Sequence, residues 1–341
     1  MDLFTPIVKT NKLDSRLASI LTDENLNSVR SVIQSWASGL ELRAQERRKF
    51  ITEFQQTFDS SFWELYLNAV LVELGFDIDR KRDRPDFVIQ KDGAPWFTIE
   101  ACTSTKGEGD LRDPLEVDHS KFLDDSTLKA SSVLKRKHDE YLGIKGSGRY
   151  GSLTHVQGRP FIVAFAPHDH LMTVPQNNVA INRVLYGIDQ PKKIIDAKGQ
   201  PSFIVPEFKS ITTRRGANID LGIFTNDSHK EISAVIFSTT ATFGKALVTA
   251  NVDREIRSTW FLAGEDRGEM RWQHSNDYHE HLFDGLHIYH NPYAQYPLDK
   301  HIFEHPNICQ HTYTPENGMI FDYKDHLVSR HVFHVFQENI E

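Results

Sequence analysis

The sequence holds only two cysteines in 341 residues, Cys102 and Cys309. That excludes a disulfide framework and argues against a zinc site built on cysteines. No stretch approaches the roughly 18 apolar residues that a membrane span requires. Met1-Asp2-Leu3-Phe4-Thr5-Pro6 also lacks a basic segment followed by an apolar run, so no secretory leader is expected. The expectation is a soluble, cytoplasmic protein with no membrane partner. Surplus basic charge is missing too, with 39 Lys and Arg against 47 Asp and Glu, a net −8. This argues against general coating of nucleic acid, although not against a local basic cleft. Repeats and low-complexity tracts are absent. Stability must therefore come from packing, and 39% hydrophobic residues over this length suffice for one large domain or two small ones.

What is present begins with helical periodicity. Across residues 23 to 58, Leu26, Val29, Val32, Ile33 and Trp36, then Phe50, Ile51, Phe54 and Phe58, recur at three- and four-residue intervals. The spacing predicts an N-terminal helical layer over residues 1–58. Asp59-Ser60-Ser61 offers a serine cap for a second, nearly all-apolar helix from Phe62 to Leu74, which Gly75 ends. The period then becomes extended through Phe76–Asp79 and Pro85–Ile89. Lys91-Asp92-Gly93 reads as a hairpin turn, and Trp96–Cys102 as the return strand. A helix capped near Asp125-Ser126 and running to Tyr141 follows, then the strand Phe161–Ala166. Residues 203–208, 219–224 and 232–238 read as further strands that extend the sheet. The order implies a mixed sheet with helices on its faces, an α/β core over 59–250. Residues 251–341, with most of the histidines, are expected as a C-terminal extension packed on that core.

Acidic residues carry the chemistry. Phosphodiester cleavage needs an activated water and neutralised charge, which a hard divalent cation with oxygen ligands can supply. Asp86 and Glu100 lie one on each arm of the expected hairpin. With an odd loop, Lys91 to Gly93, position 86 lies opposite 98 and shares a face with 100; an even loop separates the pair. Glu64, in the first turn of the preceding helix, could reach the same ion through water. Each acid also has an ordinary reading: Ser61 with Glu64 fits a capping box, Asp86 can open a strand, and Glu100 can be a paired buried acid.

Pro85-Asp86, an acid fourteen residues on, a helix carrying Glu64 upstream and a helix–strand unit downstream resemble the core of the PD-(D/E)XK, restriction-endonuclease-like nucleases. Phe62-Trp63-Glu64-Leu65-Tyr66, Gly75-Phe76, Pro85-Asp86-Phe87, Ile99-Glu100-Ala101, Ile232–Val235 and His290–Ala294 are similar to a broad bacterial branch of that superfamily. The resemblance implies a restriction-endonuclease-like fold and a Mg²⁺- or Mn²⁺-dependent endonuclease. It implies metal ligands at Asp86 and Glu100, Glu64 joining through water and the Ala101 carbonyl as a further ligand. DNA is the implied partner, with defence against foreign DNA the implied setting, and a homodimer or a defence-system partner protein stays open. The pattern departs at Cys102, where the motif lysine is expected. Lys137 on the downstream helix is the preferred substitute, with Lys135 and Lys106 as alternatives. A rival reading is a fold member without catalysis that binds nucleic acid or assembles with partners.

Other signals are set aside. Gly146-Ser147-Gly148-Arg149-Tyr150-Gly151 spells a dinucleotide motif in the wrong context, after a helix rather than a strand. The clusters His168-Asp169-His170, His279-Glu280-His281 and His287 to His290 lack metalloprotease spacing and read as surface or packing residues. Cys102 in an apolar strand reads as core.

Overall fold

The computed structural model describes residues 1–40, 44–82, 84–104, 118–144, 149–168, 177–195, 199–263, 268–322 and 324–334. Four helices come first: α1 (Ser15–Thr22), α2 (Asn27–Trp36), α3 (Ala44–Gln56) and α4 (Asp59–Glu73). The periodic stretch 23–58 holds two α-helices, α2 and α3, and α2 ends at Trp36. Helix α4 begins at Asp59 with Phe58 as its N-cap and no side-chain cap, so the expected serine cap and Ser61–Glu64 capping box do not form. Ser61 is instead buried inside the helix, which frees Glu64 from a capping role. The stop is as read: Gly75 has φ +77°, and Phe76 N–H donates to Leu71 O while Gly75 N–H donates to Val72 O.

The remaining elements, in chain order, are β1 (Asp77–Ile78), β2 (Phe87–Lys91), β3 (Ala94–Thr103), α5 (His119–Leu142), β4 (Phe161–Ala166), α6 (Val179–Tyr186), β5 (Lys192–Ile195), β6 (Pro201–Ile204), β7 (Ser210–Thr212), β8 (Asn218–Asp220), β9 (Ala234–Phe237), α7 (Phe243–Thr249), β10 (Glu255–Phe261), β11 (Gly268–His274), β12 (Leu286–His290), β13 (Ile308–Thr314), β14 (Gly318–Phe321) and β15 (His326–Phe333). Helix α5 starts earlier than Asp125-Ser126 because Asp118 caps it, accepting from Ser120 and Lys121 N–H.

The fold is α/β, with a mixed eight-stranded sheet ordered β1-β2-β3-β4-β9-β12-β13-β14. Strands β3, β4 and β9 run parallel, β12 turns antiparallel to β9, and β13 lies parallel to β12. Alternation along each strand feeds two cores. Ile162, Ala164, Ile236 and Ile288 face α1–α4 and α7, whereas Val163, Phe165, Val235, Phe237 and Tyr289 face α5 and α6.

Two expectations about the sheet fail. The strands expected at 203–208 and 219–224 form only small separate hairpins, β5–β6 and β7–β8. The segment expected as a C-terminal extension instead supplies β12, β13 and β14 to the main sheet. Strict alternation was the missing cue there: Leu286-His287-Ile288-Tyr289-His290 is buried on both faces, so its histidines hide a core strand.

A three-stranded sheet, β11-β10-β15, is tied to the body by a buried ionic cluster. Arg330 on β15 bonds Glu280 at 2.6 Å and donates to Thr240 O at 2.7 Å. Lys245 on α7 also pairs with Glu280, and all three side chains are at most 1% exposed.

Candidate metal and nuclease site

Register brings Asp86 and Glu100 together, by a different route from the one expected. The turn is two residues, Asp92 and Gly93, both with positive φ (53° and 75°), as a tight twisted hairpin demands. An even turn alone would put the two acids on opposite faces. A β-bulge between Ile89 and Gln90 restores the parity, so that Phe87 pairs with Ile99. Extending that register by one step places 86 across from 100 rather than 98. Asp86 is anchored there, its Oδ2 accepting from Ala101 N–H at 2.7 Å. Ala101 thus meets Asp86 through its amide.

Glu100 lies on the α5 face of β3, and α5 answers it. Lys137 Nζ donates to Glu100 Oε1 at 2.6 Å and to Glu140 Oε2 at 2.9 Å. Tyr150 O–H donates to the same Glu100 oxygen at 3.1 Å. Lys137 is 9% exposed in its side chain and Glu100 7%. Burial opposes the ammonium charge, but Glu100 and Glu140 outweigh it and hold Lys137 above the ordinary lysine value. Burial and the Glu100 charge push the Tyr150 hydroxyl up as well, so it remains a donor.

Tyr150 was not read from the sequence as a site residue. Its signal is steric: a Cβ on Gly151 would stand 2.8 Å from the Tyr141 ring, and one on Gly143 would stand 2.8 Å from Arg149 Cγ. Glycine at both places lets the 150 segment close on the end of α5. Of the other lysine candidates, Lys135 Nζ is bound to Asp139, and Lys106 lies outside the described residues.

Glu64 comes from the opposite layer. Helix α4 is pinned to the sheet by Trp63, whose indole N–H donates to Ala164 O at 3.1 Å. Burial and the charges of Glu100 and Glu53 push the Glu64 carboxyl up to about 7. Asp86 is also displaced upward, by dense surroundings and by Glu100 and Glu64. The residue as a whole is exposed, so the like charges are the firmer cause. Three acids crowd one region with one buried cation among them, a surplus of negative charge that a divalent cation would relieve. The donor type fits a hard cation such as Mg²⁺. The spacing is loose, since the acids are not among the groups whose ligand atoms all lie within 4.8 Å of one another.

Cys102, at the motif lysine's place, is a core thiol, its burial pushing it up to about 12. Basic residues lie close by in the sequence: Arg82, paired with Asp79, and Arg84 are exposed just before Asp86, and Lys135 and Arg136, paired with Asp139 and Glu140, precede Lys137. A cavity of about 1220 Å³ lies elsewhere, lined by Trp260, Tyr278, His281, Asp284 and His305 among others and by none of these acids. Of the histidine clusters, Asp169 and His170 lie outside the described residues, as do residues 146–148 of the glycine run. Glu280 is consumed by the ionic cluster, and His287 is buried beside His311. No helix of the described residues is long and apolar enough to cross a membrane.

No protein-family model, curated protein or solved structure matches the chain.

Proposed function

We propose that the protein is a divalent-metal-dependent endonuclease of restriction-endonuclease-like architecture, with DNA as substrate. The observation that carries the reading is the Lys137–Glu100 contact at 2.6 Å on a hairpin that sets Asp86 across from Glu100. A lysine on α5 thereby supplies the cation that the strand lacks at Cys102. Asp86, Glu100 and Glu64 would hold Mg²⁺ or Mn²⁺, which supplies charge neutralisation and an acidified water. The chain's own groups do the positioning. Ala101 N–H fixes the Asp86 rotamer. Lys137 and Tyr150 fix the Glu100 carboxylate. Lys137 is held cationic, so it acts as a charge donor to the attacking water or the scissile phosphate and not as a base. Exposed Arg82 and Arg84 would receive the flanking backbone phosphates.

A second reading, a nucleic-acid-binding or assembly module without catalysis, is favoured by the loose acid spacing and by the engagement of Lys137 with two carboxylates. Incubation with supercoiled plasmid, single-stranded DNA and RNA, in Mg²⁺, Mn²⁺ or EDTA, separates the two. Metal-dependent cutting of DNA that Asp86→Ala abolishes supports the nuclease. Binding without cutting in every metal supports the module and ends the nuclease assignment.

A further inference from the structure

The acids are not the only ligand set. Among the described residues, one group of three metal-ligating side chains has its donor atoms within 4.8 Å of each other: His287, Cys309 and His311. The sheet builds it. Strands β12 and β13 run parallel, and His287 pairs with Cys309 across the ladder. His311, two residues on, shares the Cys309 face. Its ring turns back so that Nε2 stands 2.9 Å from His287 Nδ1. All three residues are buried, at 2%, 1% and 6% exposure.

We propose that these three residues hold a zinc-class divalent cation, a site separate from the carboxylate cluster. The donors decide the metal class. Two imidazole nitrogens and a sulfur suit a borderline-soft ion and offer nothing to Mg²⁺, which wants oxygen. The pocket is also under-satisfied without an ion. His311 Nδ1 is buried with no hydrogen-bond partner, as is the neighbouring Tyr289 hydroxyl. A buried polar atom left unpaired is rare and costs stability.

Groups to orient His287 and to complete the coordination lie close by. The Asn178 amide stands 3.2 Å from His287 Nε2 and has both a donor and an acceptor to serve either tautomer. The His326 ring lies 5.4 Å from that of His287, nearly perpendicular to it. The fourth position falls to His326 or to a water. Binding breaks the S–H bond of Cys309, releases that proton to solvent and forms the metal–sulfur bond, while the imidazoles bind without proton loss. Cys309 and His311 lie far apart in sequence from His287, so the ion would clasp β12 to β13.

The test uses the full chain. Protein given excess Zn²⁺ and then dialysed is expected to retain about one zinc per chain. Replacement by Co²⁺ should give a thiolate-to-cobalt charge-transfer band, lost in Cys309→Ser and kept in Asp86→Ala. Chelation should lower Tm by about 5 °C. Wild-type protein that keeps less than roughly a tenth of an equivalent after loading overturns the site. So does a charge-transfer band that survives Cys309→Ser. Zinc retained by a protein that fails to cut DNA would leave this site standing and remove the nuclease, so the two readings fail separately.

Discussion

Lys137 Nζ lies 2.6 Å from Glu100 Oε1 although 37 residues separate them, and the same ammonium holds Glu140 at 2.9 Å. Strand position 102, two residues after Glu100, holds a buried thiol, so this contact brings the positive charge to Glu100 from a helix. Lys137→Met should cut Mg²⁺-dependent cleavage by about 100-fold or more, because a positioned charge or proton donor is lost at the reaction centre. It should also cost about 3 kcal/mol of stability, since Glu100 is left buried among the like charges of Asp86, Glu64 and Glu140. Lys137→Arg should recover most of the stability and little of the activity, as a planar fork replaces a point charge held between two separate carboxylates. Plasmid nicking and thermal denaturation on the three proteins check both statements.

Asp86→Asn should separate stability from function. It removes one of the crowded acids while leaving an oxygen for Ala101 N–H. The metal-free protein should gain about 0.5–1 kcal/mol, and cleavage should fall to background, as for active-site charges kept at a cost to stability. A loss of stability in the metal-free variant would count against like-charge crowding.

The pH dependence has a definite sign. Glu64 is raised from 4.5 to about 7, so the folded chain binds more protons than the unfolded one between those values. Its contribution to stability is fully present below about 4.5 and is lost as the pH rises through about 7. Without divalent metal, wild-type Tm should therefore fall over that window relative to Glu64→Gln. Metal affinity should rise over the same window, because the cation competes with the proton. Thermal scans and metal titrations at a series of pH values measure both.

Tyr150→Phe should leave the fold intact and reduce cleavage by about 3- to 10-fold, the worth of one hydrogen bond of roughly 1 kcal/mol to Glu100. A larger loss would mean that the hydroxyl meets the substrate itself.

Glu280→Ala should be among the most damaging single changes. It strips the shared partner from two cations that are at most 1% exposed, Lys245 and Arg330. Breaking a buried ionic cluster on one side costs about 3–5 kcal/mol. Replacing one cation as well, in Glu280→Ala with Lys245→Met, should recover part of that loss in denaturant titrations.

Local signals in the sequence located the parts that depend on local physics. Apolar saturation from Phe62 to Leu74 and the glycine after it marked α4 and its end, and the Asp86–Glu100 hairpin was visible in its alternation and turn. The α5 lysine could be singled out only through the resemblance. The bulge at Ile89 and Gln90 was not visible, because no turn residue marks it. Tyr150 stayed hidden because its position depends on the close approach of Gly151 to Tyr141. The membership of β12 and β13 in the sheet was hidden by polarity. His287 and His311 are polar letters in strands that are buried on both faces, where periodicity gives no warning.

Strand β12 fills the place beside β9, and Leu286, Ile288, Phe303 and Ile308 complete the core that α4 packs on. On a ribosome emerging N-terminus first, the acids Glu64, Asp86 and Glu100 would thus be made nearly two hundred residues before the strands that close their sheet. Until those strands arrive, β9 offers an open edge to any passing chain. A nascent or truncated product ending before β12 should be a substrate for chaperones and proteases, and cutting activity should be withheld until synthesis is complete.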